Sequence, residues 1–93
     1  MIDMNTTVAR SQELVATGLG NGELALLSVS NGKYFSASPL GRRIWEHLEA
    51  PKTVEEMQRL LLAEYDVPAA QCKADLTTFL HQMLDARLLN VVV

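Results

Sequence analysis

Residues 32–45 read Gly-Lys-Tyr-Phe-Ser-Ala-Ser-Pro-Leu-Gly-Arg-Arg-Ile-Trp, and this stretch carries the strongest structural signals of the chain. A short aromatic segment runs directly into a capped helix. Ser38 suits the N-cap, because its hydroxyl accepts a hydrogen bond from a free amide of the first turn. Pro39 suits the first helical position, where no amide donor is needed. The stretch therefore predicts a strand joined to a helix with almost no loop, so that the two lie at a fixed angle.

Length and composition describe one ordinary globular domain. The chain has 93 residues, of which 48% are hydrophobic and 20% are charged, so the apolar fraction is ample for a core. The longest apolar runs are too short to span a membrane, and the first residues lack the features of a secretory signal. The single cysteine, Cys72, excludes an internal disulfide and a cysteine-based zinc cluster. These features predict a cytoplasmic protein.

The charge balance is unfavourable for nucleic acid. The formal net charge is −3, whereas binding to phosphates requires clustered lysines and arginines. The basic residues are scattered along the chain, except for three near the strand–helix junction, Lys33, Arg42 and Arg43. We expect these three to form a solvated rim. We expect neither a nucleic-acid partner nor a membrane partner.

The first half of the chain predicts strands. Residues 1–12 are polar and without clear period, which indicates a flexible N-terminal tail ahead of a single domain over residues 13–93. Leu14–Leu19 favours a strand. Glu23–Val29 is a second, largely apolar strand that we expect at the centre of a sheet.

Two Asn-Gly pairs, at residues 21–22 and 31–32, are strong hairpin signals. The second pair delivers Lys33–Ala37 as a third strand. The pattern predicts a three-stranded antiparallel meander with this third strand at its edge.

The second half of the chain predicts three helices. The first runs from Ser38 to about Glu49, ahead of Pro51. The second opens with a capping box of Thr53 and Glu56. The apolar stripe of the first helix comprises Leu40, Ile44 and Leu48, with Trp45 beside them. The stripe of the second helix, which we expect to face inward, comprises Met57, Leu60, Leu61 and Tyr65.

The third helix, opening at Pro68, is the most periodic element. Residues 88–93 either add a short terminal strand or pack as a tail. Three strands before three helices predict an α+β, winged-helix-like fold, with a three-stranded antiparallel sheet followed by three helices that cover one of its faces. The apolar stripe of the third helix comprises Cys72, Leu76, Phe79, Leu80, Met83, Leu84 and Leu88.

No residue pattern in the chain indicates catalysis. His47 and His81 lie on different predicted helices, and neither has the spacing of a metal-ligand pair. Cys72 lies on an apolar stripe, where a buried structural thiol is commoner than a nucleophile. The sequence predicts a binding protein without enzymatic activity, metal or cofactor.

Several short motifs together resemble one known family. From about Val8 to Leu89 the chain is similar to the PqqD-like family, the recognition elements for precursors of ribosomally synthesised and post-translationally modified peptides (RiPPs). The family position that matches Ala37 usually holds a larger aliphatic residue, so alanine widens the neighbouring pocket or makes it shallower. The motifs that carry the resemblance are Lys33-Tyr34-Phe35, Ser38-Pro39-Leu40-Gly41, Ile44-Trp45, Thr53-Val54-Glu55-Glu56, Tyr65-Asp66-Val67, and Asp75 with Phe79-Leu80 and Leu84.

The resemblance implies a domain that binds the leader segment of a precursor peptide and presents it to a partner enzyme. The leader adds as an antiparallel strand to the third strand and lies against the third helix. The partner is a leader peptidase in the lasso-peptide branch and a radical S-adenosylmethionine enzyme in the pyrroloquinoline quinone branch. The motif around Trp45 and the compact length favour the free-standing lasso-peptide type. The peptide-binding residues implied are Lys33, Tyr34, Phe35, Ser36, Ala37, Cys72, Asp75, Leu76 and Phe79.

The physics of an edge strand favours the same mode of binding, because its unpaired amides and carbonyls are a liability unless they are covered or used. Two alternatives stay open. The second and third helices resemble a DNA-binding helix-turn-helix, although the third carries balanced charges. The same edge strand also offers a way to form a homodimer.

Overall fold

The structure is a computed structural model that describes residues 2–92. Within this range the chain forms six strands and three helices in the order β1, β2, β3, β4, α1, β5, α2, α3 and β6. Their bounds are β1 Thr7–Arg10, β2 Leu14–Gly18, β3 Leu24–Ser28, β4 Tyr34–Ala37, α1 Pro39–His47, β5 Lys52–Thr53, α2 Val54–Glu64, α3 Ala69–Asp85 and β6 Leu89–Val92.

The predicted meander is present as a sheet of order β2-β3-β4. Both pairings are antiparallel, with Leu26 opposite Phe35 and Leu24 opposite Ala37. The turns rest on Gly22 and Gly32, which have positive φ angles of 87° and 70° that side-chain-bearing residues rarely adopt. The α+β prediction is confirmed, with β3 central and β4 at the edge.

A second sheet, of order β5-β1-β6, corrects the predicted N-terminal tail. Thr7–Arg10 is its central strand, and the Val8 side chain is fully buried. Val8 lies opposite Lys52 on one side and Val91 on the other. A four-residue strand with one buried side chain has no readable period, and both of its partners lie far away in sequence. The same pairing decides between the two predictions for the C-terminal segment in favour of a strand, over Leu89–Val92. Met1 and Val93, at the ends of the two predicted segments, lie outside the described residues.

Helix α1 follows β4 after one residue, as predicted. The Ser38 side chain accepts a hydrogen bond from the Gly41 amide at 3.2 Å, and Pro39 occupies the first helical position. Ile44, Trp45 and Leu48 are buried. The N-cap thus fixes where the edge strand ends and the helix begins.

Helix α2 has the predicted capping box, since Thr53 accepts from the Glu56 amide at 3.1 Å and Glu56 accepts from the Thr53 amide at 2.9 Å. Its stripe is only partly buried. Met57 and Leu61 lie in the core, whereas Leu60 and Tyr65 are 36% and 39% exposed. The prediction that the whole stripe faces inward is therefore wrong for Leu60 and Tyr65.

Helix α3 is the longest element and begins at Ala69, with Pro68 as its N-cap residue. It buries one face, and the chain leaves the helix through Arg87, which has a φ angle of 61°. One core cluster contains side chains from both sheets and all three helices. The buried residues of α3 are Cys72, Leu76, Leu80 and Met83.

Arg10 joins the second sheet to α1. Its Nη2 and Nε donate to the Trp45 carbonyl oxygen at 2.6 and 3.2 Å, and its guanidinium lies 4.6 Å from the centre of the Trp45 ring. Burial lowers the pKa of Arg10, an effect that the nearby carboxylates of Glu49 and Glu46 oppose. These contacts hold the N-terminal strand against the helix that follows β4.

We expect Thr53→Ala to lower the free energy of unfolding by about 1 kcal/mol, because it removes an N-cap acceptor of α2. For a domain of this size that loss lowers the melting temperature by roughly 4–8 °C. Thermal unfolding followed by circular dichroism measures the shift. The matched control, Thr78→Ala on the exposed side of α3, should not destabilise the domain. Equal melting temperatures for Thr53→Ala and wild type would contradict the assigned cap.

Candidate functional site

Strand β4 pairs with β3 along one edge only, and no described strand pairs with the other edge. The Ser28 amide donates to the Lys33 carbonyl at 2.8 Å. Hydrogen-bonded and non-hydrogen-bonded pairs alternate in an antiparallel ladder, so Phe35 and Ala37 bond to β3. The N–H and C=O groups of Tyr34 and Ser36 therefore point away from the sheet. These two residues provide two donors and two acceptors at the free edge.

The side chains of β4 alternate between two faces. Tyr34 and Ser36 are exposed on the outer face, whereas Ala37 is buried and Phe35 is half-buried on the inner face. The Phe35 ring meets the ring of Phe79 from α3 in an edge-to-face contact, with centroids 5.7 Å apart and an angle of 80°. This pair ties the edge strand to the third helix.

A groove runs beside this pair, between the first turn of α1 and the exposed side of α3. It encloses a volume of about 220 Å³. Asp75 and Phe79 lie one helical turn apart and both line it, with the carboxylate of Asp75 exposed to solvent. The lining residues are Ser38, Leu40, Gly41, Ile44, Asp75, Thr78, Phe79 and Gln82.

A second cavity, of about 230 Å³, lies where α1, α2 and the start of α3 meet. Its wall is almost entirely apolar, and it shares Leu40, Ile44 and Asp75 with the groove. The two spaces are therefore adjacent along the same side of α1. The residues that line the cavity are Leu40, Ile44, Leu61, Tyr65, Val67, Cys72, Asp75 and Leu76.

The structure divides the residues implied by the sequence into two groups. Tyr34 to Ala37, Asp75 and Phe79 gather around the free edge and the groove, and Lys33 lies in the turn just before β4. Cys72 and Leu76 lie instead in the wall of the cavity, with side chains only 6% and 1% exposed. Their contact with a ligand would have to come through the cavity rather than along β4.

Sequence reasoning missed Thr78 and Gln82. Both lie on the groove side of α3, three and seven residues after Asp75, which is the spacing of one helix face. That spacing was readable in the sequence. Both side chains are polar, however, so they do not belong to the apolar stripe by which the helix was recognised.

Titratable groups give the groove little special chemistry. Burial, with a smaller contribution from the Asp75 charge, raises the pKa of the Cys72 thiol, which keeps it neutral. The largest perturbation of a carboxyl lies elsewhere, where the hydrogen bond from Arg43 lowers the pKa of Glu64 to about 2. In residues 2–92 no cluster of three or more His, Cys, Asp and Glu side chains could hold a metal ion.

The helices of the described part are also unsuited to a bilayer, since none combines the length and the apolar character needed to cross one. The arrangement around β4 instead offers a free strand edge, an aromatic pair behind it and a groove with one carboxylate. Such an arrangement can accept an extended peptide as an additional strand.

Comparisons with known proteins agree with this geometry. Residues 23–89 match the family model described as Coenzyme PQQ synthesis protein D (PqqD). A solved structure of TbiB1 in complex with the TbiA(beta) leader peptide is 32% identical in sequence, with a TM-score of 0.79, and the match covers 91% of this chain and 98% of that one. No curated protein matches the chain significantly in sequence. The resemblance inferred from the motifs is confirmed, and the chain belongs to the PqqD family.

Proposed function

We propose that this domain captures the leader segment of a ribosomally synthesised precursor peptide by strand addition to β4 and presents it to a processing enzyme. The observation that carries the proposal is the free edge of β4, where the backbone groups of Tyr34 and Ser36 point away from β3 beside an open groove. The similarity to TbiB1, whose structure contains a leader peptide, supports the same ligand class.

The backbone alone would bind such a peptide weakly. Tyr34 and Ser36 offer four hydrogen bonds, each worth about 0.5–1.5 kcal/mol net, and association costs several kcal/mol in lost freedom. Micromolar affinity needs about −8 kcal/mol. Side chains of the leader must therefore contribute most of the affinity. The groove beside Phe79 and the adjacent cavity are where their apolar surface would be buried.

Asp75 places a negatively charged hydrogen-bond acceptor in the groove. Its carboxylate is exposed at the boundary between groove and cavity, so an amide or a basic side chain of the leader could donate to it. A hydrogen bond to a charged group contributes about 1.5–3 kcal/mol. We infer that Asp75 fixes the position of the leader along α3.

The partner that we propose is a leader peptidase of the lasso-peptide type. The motif around Trp45, which resembles the free-standing lasso-peptide type, favours this partner, whereas the family description, Coenzyme PQQ synthesis protein D, points to the branch whose partner is a radical S-adenosylmethionine enzyme. A domain that binds the leader at an exposed strand edge could present the precursor to this enzyme, because the rest of the peptide stays accessible. A role in DNA binding is disfavoured, since Lys73 and Arg87 are balanced by Asp75 and Asp85 on and beside α3.

We expect this domain to bind the leader of a precursor peptide that is encoded by a neighbouring gene. Isothermal titration should give a dissociation constant between micromolar and nanomolar. Hydrogen exchange should slow at the amides of Tyr34 and Ser36, because only these gain a partner. The amides of Phe35 and Ala37 already bond to β3 and should change less.

The opposite edge of the same sheet provides the control. In β2 the amide of Ala16 also points away from β3, because the Val29 amide donates to Glu13 and sets the alternation. Its exchange should be unaffected by the leader. Binding that slows exchange at Ala16 but not at Tyr34 and Ser36 would place the peptide on the wrong edge for this proposal.

Asp75→Asn should weaken leader binding at least tenfold while leaving the melting temperature unchanged, because the side chain is exposed and its volume is preserved. Fluorescence anisotropy with a labelled leader measures the affinity. Asp85→Asn, at the far end of α3, is the matched control and should bind as wild type does. Equal affinities for both variants and wild type would remove Asp75 from the site.

The domain should accelerate processing without performing it. Purified domain mixed with precursor should leave the peptide mass unchanged. A leader peptidase encoded beside this chain should cleave faster with the domain than alone, whereas a radical S-adenosylmethionine enzyme should not respond. Mass spectrometry over time measures both. A mass change with the domain alone would contradict a purely binding role.

A further inference from the structure

Gly41 occupies a position where the backbone does not require glycine. It is the third residue of α1, and positive φ angles among the described glycines occur only at Gly22 and Gly32. Alanine is the better helix former, by about 1 kcal/mol in a helix interior. The reason for glycine must therefore lie in the space around it.

That space is taken by the Phe79 ring. A Cβ atom on Gly41 would lie 2.7 Å from Cε1 and 3.3 Å from Cδ1 of Phe79, and 3.1 Å from the Cβ of Ala37. The first distance is shorter than the separations that non-bonded carbon atoms ordinarily show. The missing side chain at Gly41 thus lets the ring lie directly against the first turn of α1.

The position of this ring determines the shape of the groove. Phe79 is half-buried, lines the groove together with Gly41, and makes the edge-to-face contact with Phe35. A methyl group on residue 41 must displace the ring away from α1. The displaced ring would enter the space that the leader needs and would break the contact with Phe35.

We propose that Gly41 is a specificity-determining position of the peptide groove, which acts by positioning Phe79 so that the groove admits a bulky apolar side chain of the leader. This inference rests on the proposed function. Gly41 does not itself bind the side chain. It fixes the width of the space in which that side chain is selected.

The test uses the full chain and the leader of the neighbouring precursor, together with a set of leaders in which each apolar residue is replaced in turn by alanine. Wild type should bind one of these substituted leaders much more weakly than the unchanged leader. Gly41→Ala should bind the unchanged leader at least tenfold more weakly and should lose most of that discrimination. Gly20→Ala is the matched control, because a Cβ there meets no atom within 4 Å.

A second variant separates positioning from folding. In Gly41→Ala/Phe79→Leu the leucine side chain has no Cε1, the ring atom that the new methyl group would meet at 2.7 Å, so leader binding should recover relative to Gly41→Ala alone. A role confined to stability predicts that the melting temperature recovers while the discrimination between leaders is the same in every variant. That result would overturn the inference and leave the proposed function intact. Wild type that binds no leader would overturn both.

Discussion

The structure depends on the direct connection between β4 and α1. Ala37 ends the strand, Ser38 caps the helix, and Pro39 begins it, so no loop residue intervenes. The cap hydrogen bond from the Gly41 amide fixes the helix start, and Phe79 packs against the junction from α3. The edge strand, the first turn of α1 and the exposed side of α3 are therefore held at one spacing. The groove is the open volume between the first turn of α1 and α3 beside this edge strand.

Much of this arrangement could be predicted from local sequence. The two Asn-Gly turns, the cap at Ser38 and the capping box at Thr53 each depend on a few adjacent residues, and all are found where the pattern places them. The second sheet could not be predicted in this way. Its central strand, Thr7–Arg10, becomes ordered by pairing with two segments more than 40 residues away, and only Val8 is fully buried.

The candidate site was predictable to a similar extent. The edge position of β4 follows from element order, whereas the place of Phe79 beside this strand was implied by the family resemblance. The location of Cys72 and Leu76 in a separate cavity does not, because it depends on how α2 packs against the start of α3. Thr78 and Gln82 were missed since a search for apolar stripes passes over polar side chains on the neighbouring face. The positions of these four residues in the cavity and the groove depend on how the helices pack in three dimensions.

The backbone of the edge strand and the side chains around it contribute differently to peptide binding, because backbone hydrogen bonds add little net free energy. An exposed backbone edge binds any extended peptide to a similar and small extent, so it supplies orientation rather than selectivity. Selectivity must come from the side chains of α1 and α3 that flank the edge. With the proposed function, such a domain would recognise a short segment of the leader and leave the remainder of the peptide free for the processing enzyme.

The central claim is that the backbone of β4 pairs with the leader, and proline at residue 36 tests it most directly. Ser36→Pro removes one outward-facing N–H, while an edge strand tolerates a proline whose missing donor faces away from the sheet. Ser36→Ala keeps the N–H and controls for loss of the hydroxyl. With both variants folded, we predict wild-type leader affinity for Ser36→Ala and at least tenfold weaker binding for Ser36→Pro. Equal leader affinity for the two variants would contradict strand addition at β4.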